Sequence, residues 1–343
     1  MEKRSTWPDN RDVSLLVDAA RGIRGERVPV WFMRQAGRSL PEYRALREGT
    51  TMLEACLRPE MAAEITMQPV RRHGVDGAVF FSDIVTPLKV AGIDVDIKPG
   101  VGPVFGTSIS SKADIDNLVS HRLEDSQEIR DAVKICVEEL DVPVLGFGGA
   151  PFTLAAYLVE GKPSRDHLAA RALMYSDPES WDRLMTWAAD ITGRFLEIQI
   201  EAGASVVQLF DSWAGSLSLK TYEEKVLPYS TRALSYATVP TIHFGTGTST
   251  LLGQMASICD VLGVDYRVPL DSVAKRIPGK PLQGNIDPAL LAAPWSVLEK
   301  HIDEIIEAGK AAPAHILNLG HGVPPTTDPE VLTKIVSYVK GEL

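Results

Sequence analysis

Eight short apolar runs, each followed by a stretch of helical periodicity, constrain the fold of this chain more than any other feature. They are PVWFMR (29–34), GAVFFSD (77–83), VPVLGF (142–147), SVVQLFD (205–211), VPTIHF (239–244), VLGVDY (261–266), PLQGNI (281–286) and HILNLG (315–320). Most are apolar throughout rather than alternating, the pattern of strands covered on both faces in a parallel sheet. Helix signals lie between them. Ser39-Leu-Pro-Glu42 has the form of a capping box. Asp177-Pro178, Asp287-Pro288 and Asp328-Pro329 each place an N-cap acid before a proline suited to the first helical position. Helices are expected over 178–202, 222–237, 288–311 and 329–341. Strand–helix alternation of this kind predicts an α/β chain in one domain, 1–343: a distorted (β/α)₈ TIM-type barrel, with an open doubly wound sheet as the alternative. The spacing is uneven. Residues 84–141 read as an excursion with short strands of its own in VAGIDVDIKPGVGPVF, and residues 1–28 as an N-terminal extension with a helix at 11–21.

Charge and composition remove several classes. The 35 Lys+Arg against 45 Asp+Glu leave a net charge of −10, which argues against a nucleic-acid or anionic-membrane binder, since both need a basic face. Residues 142–159 run uncharged for nearly the length of a membrane span, but Pro143, Gly146, Gly148, Gly149 and Pro151 interrupt them. The stretch reads as a buried strand, a tight turn and the start of a helix. The N-terminus shows no apolar signal-peptide core. Cys56, Cys136 and Cys259 are far apart with no C-x-x-C, so they read as reduced thiols of a cytoplasmic protein.

In a barrel, function belongs at the C-terminal ends of the strands. There the sequence puts Arg34-Gln35-Ala36-Gly37-Arg38, then Asp83, then Gly148–Thr153 with Tyr157 one turn into the following helix. Asp211-Ser212-Trp213, His243–Gly247, Gln283–Asn285 and Asn318–Gly322, which carries His321, complete the rim. Two arginines around a glycine turn suit planar anions, because guanidinium offers two parallel donors. Arg44 and Arg47 follow on the next helix, with Arg47 expected on its exposed face. The rim therefore suits a polyanion on an otherwise acidic protein. Each residue also has a structural reading: Arg34 as an ion-pair partner, Asp83 as a cap, Tyr157 as a core tyrosine. Ser212 lacks a surrounding G-x-S-x-G and is not a hydrolase nucleophile. GTGTST (245–250) fits neither the P-loop nor the dinucleotide spacing and reads as a helix start capped by Thr or Ser.

Six blocks, PVWFMRQAGRSLPEYR (29–44), FFSDI (80–84), GFGGAPFTLAAYLVEG (146–161), QLFDSWAG (208–215), LQGNIDP (282–288) and ILNLGHG (316–322), resemble the uroporphyrinogen decarboxylase family, in the family's order and over most of the chain. The resemblance implies a distorted (β/α)₈ barrel, a cytoplasmic homodimer, and decarboxylation of the four acetate arms of uroporphyrinogen III to coproporphyrinogen III without metal or organic cofactor. It places substrate binding on Arg34, Gln35, Ala36, Gly37, Arg38, Asp83, Tyr157, Ser212 and His321, with Asp83, Arg34 and Arg38 in catalysis. The residue types suit that chemistry. An ionised Asp83 accepts pyrrole N–H groups and stabilises positive charge on a protonated pyrrole, while Arg34 orients carboxylates. The proton comes by way of Arg38, or from a water held by Arg or His321. Two other functions compete. A zinc- and corrinoid-dependent methyltransferase of the same superfamily needs a thiolate where this chain has His243-Phe244-Gly245. A tetrapyrrole carrier needs the pocket without the chemistry.

Overall fold

The computed structural model describes residues 14–106, 109 and 111–343. Among the described residues nine strands follow in chain order: β1 (Ala78–Val79), β2 (Val95–Lys98), β3 (Gly102–Phe105), β4 (Val144–Gly149), β5 (Val206–Asp211), β6 (Thr241–Gly245), β7 (Val261–Gly263), β8 (Leu282–Gln283) and β9 (His315–Ile316). Seven form a parallel sheet in the order β1-β4-β5-β6-β7-β8-β9. Segment 29–34 joins its two edges. On one side Val30 bridges Leu317, whose N–H donates to the Pro29 carbonyl at 2.9 Å; on the other the Asp76 N–H donates to the Val30 carbonyl at 2.8 Å. Seven strands and this segment make eight staves, so the expected barrel is present, with all eight predicted runs in place. Segment 29–34 departs from the expected full strand, because its far end turns away into the Arg34 loop. β2 and β3 pair antiparallel as a separate hairpin, the expected excursion.

Apolar side chains fill the barrel around a satisfied polar bridge. Gln283 Nε2 donates to Gln208 Oε1 at 2.8 Å, and Trp31 Nε1 donates to Gln283 Oε1 at 3.1 Å, with all three residues buried. The helix Pro178–Glu201 lies so close against β4 that a Cβ on Gly146 would meet Gln199 Oε1 at 2.9 Å. Gly148 faces Thr192 and Leu196 of the same helix, whereas a Cβ on Gly149 would meet Ile84 and Leu154.

Local differences from expectation have local causes. The helix after segment 29–34 is Pro41–Leu46, with Leu40 at the N-cap and no side-chain cap. A turn closed by the Leu40 N–H on the Gly37 carbonyl (3.0 Å) leaves Ser39 one residue outside, and Glu42 turns to Arg72 at 3.2 Å. The capping box of this region is Thr51 with Glu54 instead. Pro228 divides the expected 222–237 helix into Leu219–Lys225 and Leu227–Leu234, and Pro294 divides 288–311 into a 3₁₀ turn and Trp295–Gly309. GTGTST is a turn: Thr248 Oγ1 donates back to the Gly245 carbonyl at 3.2 Å, and the next helix, Leu252–Ala256, starts uncapped. Arg47 is half-buried rather than exposed, donating to the Tyr43 hydroxyl (2.6 Å) and the Thr50 carbonyl (3.1 Å). The helix expected at 11–21 is described as Leu15–Ala20; residues 11–13 lie outside the described residues. Among the described residues no helix is long and apolar enough to cross a membrane.

Candidate active site

The site is built on the loop that ends segment 29–34. Arg34 sits at φ 63°, a left-handed conformation that costs a non-glycine residue on the order of 1 kcal/mol. It is held there from both sides. The next residue, Gln35, is fully buried; its Oε1 accepts from the Phe32 N–H (3.0 Å) and its Nε2 donates to the Gly77 carbonyl (2.9 Å). Met33 N–H donates to Asn318 Oδ1 at 3.0 Å. The Gln35 side chain thus braces the loop through Ala36 and Gly37, whose turn is closed by the Leu40 N–H on the Gly37 carbonyl. The kinked Arg34 side chain lies across Gly322, where a Cβ would meet its Cδ at 2.4 Å, so the G-H-G motif is needed for packing as well as exposure. Gly320 makes the companion approach, its Cβ position lying 2.1 Å from the Tyr266 nitrogen.

Asp83 follows β1 into the cleft. Its Oδ1 accepts the Val85 N–H at 3.0 Å in an Asx turn, while the next helix, Thr86–Val90, starts at Val85 with no side-chain cap, so Asp83 is not a helix cap. Oδ2 accepts nothing from the described residues and remains available to a ligand. Burial raises the Asp83 pKa above the ordinary carboxylate value, opposed by the Val85 N–H and the Arg34 charge. Burial also pushes the Tyr157 phenol up to about 12, reinforced by Asp83. Tyr157 is therefore a protonated donor at neutral pH. Burial lowers the His321 pKa, assisted by Arg34 and Arg267, which keeps this imidazole neutral at pH 7. Its Nδ1 accepts the Gly322 N–H at 2.8 Å.

The Arg34 charge thus acts on Asp83, Tyr157 and His321, and the Asp83 charge on Tyr157. Arg38 is exposed further along the loop, and its carbonyl accepts from Arg44 at 2.6 Å. Ser212 is half-buried just past β5, its carbonyl accepting from Thr246 Oγ1 at 2.8 Å. Trp213 joins Ser212 to Tyr157: its ring lies 3.8 Å from the Tyr157 ring and stacks at 4.2 Å on His167. Reading strand ends alone found Trp213 without a role and missed His167, which sits on a loop beyond the helix Pro151–Glu160 and carries no motif.

His243 does not face the cleft. It is fully buried in the layer between sheet and helices, with Nε2 3.6 Å from Asp211 Oδ2. The three cysteines are buried as well, their thiols pushed up to about 12 by burial. No three His, Cys, Asp or Glu side chains converge as a metal site among the described residues.

A (β/α)₈ barrel gathers its functional groups at the C-terminal ends of its strands, and here a carboxylate and an arginine meet at that rim. Comparison with known proteins agrees with that architecture. The family profile described as "Uroporphyrinogen decarboxylase (URO-D)" matches residues 12–341. A uroporphyrinogen decarboxylase of Arthrobacter sp. is 60% identical, covering 95% of this chain and 96% of its own length. One of Streptomyces avermitilis is 54% identical over 95% and 94%. The chain belongs to the uroporphyrinogen decarboxylase family. Among solved structures, a methyltransferase from Methanosarcina mazei superposes with a TM-score of 0.77 at 19% identity, covering 95% of this chain and 97% of its own. A B12-independent methionine synthase from a Shewanella species gives 0.54 at 12%, over 82% and 87%. At these identities the likeness is one of fold alone.

Proposed function

We propose that this protein converts the four acetate arms of uroporphyrinogen III to methyl groups, giving coproporphyrinogen III and four CO₂, with no metal or organic cofactor. The observation that carries the reading is the free Oδ2 of Asp83 in a cleft that Arg34 also faces. A cyclic tetrapyrrole turns its N–H groups inward and its carboxylates outward. An ionised Asp83 accepts the former, while Arg34, Arg38 and the Tyr157 hydroxyl donate to the latter. Ala36 and Gly37 contribute backbone groups to the same wall, with Gln35 fixing their path, and Ser212 and His321 close it.

The pyrrole itself serves as the electron sink. Protonation of a ring carbon makes a cation, which Asp83 stabilises in a water-poor site. The bond from methylene to carboxylate then breaks, its electron pair enters the ring, and CO₂ leaves. The methylene carbon takes a proton to become methyl, and the ring carbon gives back the first one. Each arm thus consumes one proton and releases one CO₂. Arg34 orients the carboxylate, and Arg38, or a water held by Arg34 or the neutral His321, delivers the proton.

The same reading includes a cytoplasmic homodimer. The exposed apolar side chains Leu168, Tyr175 and Leu219, at 66%, 63% and 39%, favour a covered face and so the dimer. Light scattering of the purified protein tests the dimer. The function is tested by incubating metal-stripped protein with uroporphyrinogen III and resolving products by carboxyl number. The expected end product carries four carboxylates. A bound but unchanged macrocycle would make the protein a carrier, and activity lost to a chelator and restored by zinc would support the methyltransferase chemistry.

A further inference from the structure

Beyond Trp213, on the side of its ring that stacks on His167, a second pocket of about 460 Å³ opens beside the Asp83 cleft. Arg165, Arg171, Ser212, Gly247 and Arg267 line it. Ser212 and Trp213 line it, and Trp213 carries Tyr157 on its other face, toward Asp83.

The pocket is held by a buried brace. Asp265, 3% exposed, accepts the Gly247 N–H at 2.5 Å, the Arg267 N–H at 3.0 Å and Arg267 Nη1 at 2.6 Å. Its own carbonyl accepts from Asn285 Nδ2 at 2.8 Å. The Arg267 guanidinium also lies 4.4 Å over the Tyr266 ring. Arg267 is thus held in a fixed orientation at the pocket edge, with its other N–H donors bonded to no described residue. The turn opposite is equally constrained: a Cβ on Gly215 would meet the Thr246 carbonyl oxygen at 2.3 Å.

Charge is left over at this wall. Arg165 and Arg171 make no ion pair among the described residues, whereas Arg72, Arg130, Arg194 and Arg232 on the outer helices each do. Asp166 is the acidic side chain in the pocket lining, against three arginines. Arg34 and Arg267 both act on His321, which links this wall to the mouth of the first cleft.

We propose that this pocket is a second carboxylate subsite, in which Arg267, braced by Asp265, anchors a carboxylate arm of the macrocycle across Trp213 from Asp83. The proposal rests on the decarboxylase reading for the identity of the ligand. Arg267 lies away from the reacting carbon, so its effect is on affinity.

The test is binding of an octacarboxylate porphyrin, followed by tryptophan fluorescence, together with steady-state decarboxylation. Arg267→Gln is expected to raise Kd and KM about tenfold, the loss of one charge-assisted contact, with kcat within about threefold and the folded state retained, if less stable for the loss of the Asp265 partner. Arg267→Lys should fall between, because it keeps the charge and loses the fork. Asp265→Asn should weaken binding in the same direction, and its effect should vanish on the Arg267→Gln background. Arg122→Gln, in the loop before the helix Gln127–Glu139, should match wild type. Wild-type Kd and KM in Arg267→Gln, alongside normal turnover by the parent protein, would overturn the subsite and leave the decarboxylase reading standing. A parent protein that binds the porphyrin but releases no CO₂ would overturn that reading, while the ratio of Kd values still decides the subsite. A parent protein that fails to bind the porphyrin would overturn both.

Discussion

Asp83 and Asp211 both end barrel staves, and both follow a phenylalanine-rich apolar run, yet they face different surroundings. Asp211 continues the alternation of β5: Val207 and Leu209 point outward into a cluster with Leu196 and Leu234, and Asp211 points the same way. It is fully buried, with Oδ1 accepting from Thr153 Oγ1 at 3.1 Å and Oδ2 3.6 Å from His243 Nε2. Asp83 lies beyond the last paired residue of β1, where the chain has left the sheet and turns into the cleft. One carboxylate ties sheet to helix, and the other holds an oxygen open. Position near a strand end does not separate them; what does is that Asp211 is still on the pleated strand, on its outward face, while Asp83 has left it.

The comparison breaks most clearly at the carboxylates themselves. Asp83→Asn removes the charge but keeps an oxygen for the Val85 N–H, so turnover should fall roughly 10²-fold or more with the fold intact. Asp211→Asn should do the reverse, losing roughly 1–3 kcal/mol of stability while turnover changes only a fewfold. Rate measurements paired with thermal melts on both variants decide it, and equal rate losses would erase the distinction. Next in size is Arg34→Lys, which keeps the charge and loses the two-donor fork. Tenfold or more should be lost in kcat/KM, about 1.4 kcal/mol of transition-state stabilisation. Gly322→Ala should follow it without altering any charge, because its Cβ takes the space of the Arg34 Cδ. Normal kinetics in Gly322→Ala would mean that the path of Arg34 over this glycine is immaterial. The smallest effects are expected from Tyr157→Phe and Ser212→Ala, each at most roughly 1–3 kcal/mol in kcat/KM. Complete inactivation of a folded Ser212→Ala protein would point to covalent catalysis at that hydroxyl.

The staves were legible because strands buried on both faces are continuous apolar runs, and candidate site residues could be named because barrels gather function at one rim. Direction was not legible. Nothing in LFDSW tells which of Asp211 and Ser212 looks into the cleft, and His243 sits at a strand end yet faces the helices. Short-range rules failed where a longer-range contact took over. Glu42 abandons Ser39 for Arg72, while Thr51 and Glu54, with no such competitor, form the capping box. Arg267 was invisible because its role depends on Asp265 being buried two residues away and on a turn that approaches from β6.

The central claim is that the working form of Asp83 is an ionised carboxylate in a desolvated cleft, and the pH dependence of kcat/KM tests it most directly. Burial raises the Asp83 pKa, and the Val85 N–H and Arg34 offset this only in part. Ionised Asp83 therefore costs folding stability at neutral pH, and that cost is relieved as pH falls through the raised pKa. Activity moves the opposite way, since protonation removes the acceptor and the charge together. The wild-type profile should show an acid limb above the ordinary carboxylate value of about 4. Asp211→Asn should keep that limb, and Asp83→Asn should lie low and flat through the same range. An acid limb that persists unchanged in Asp83→Asn would contradict the account.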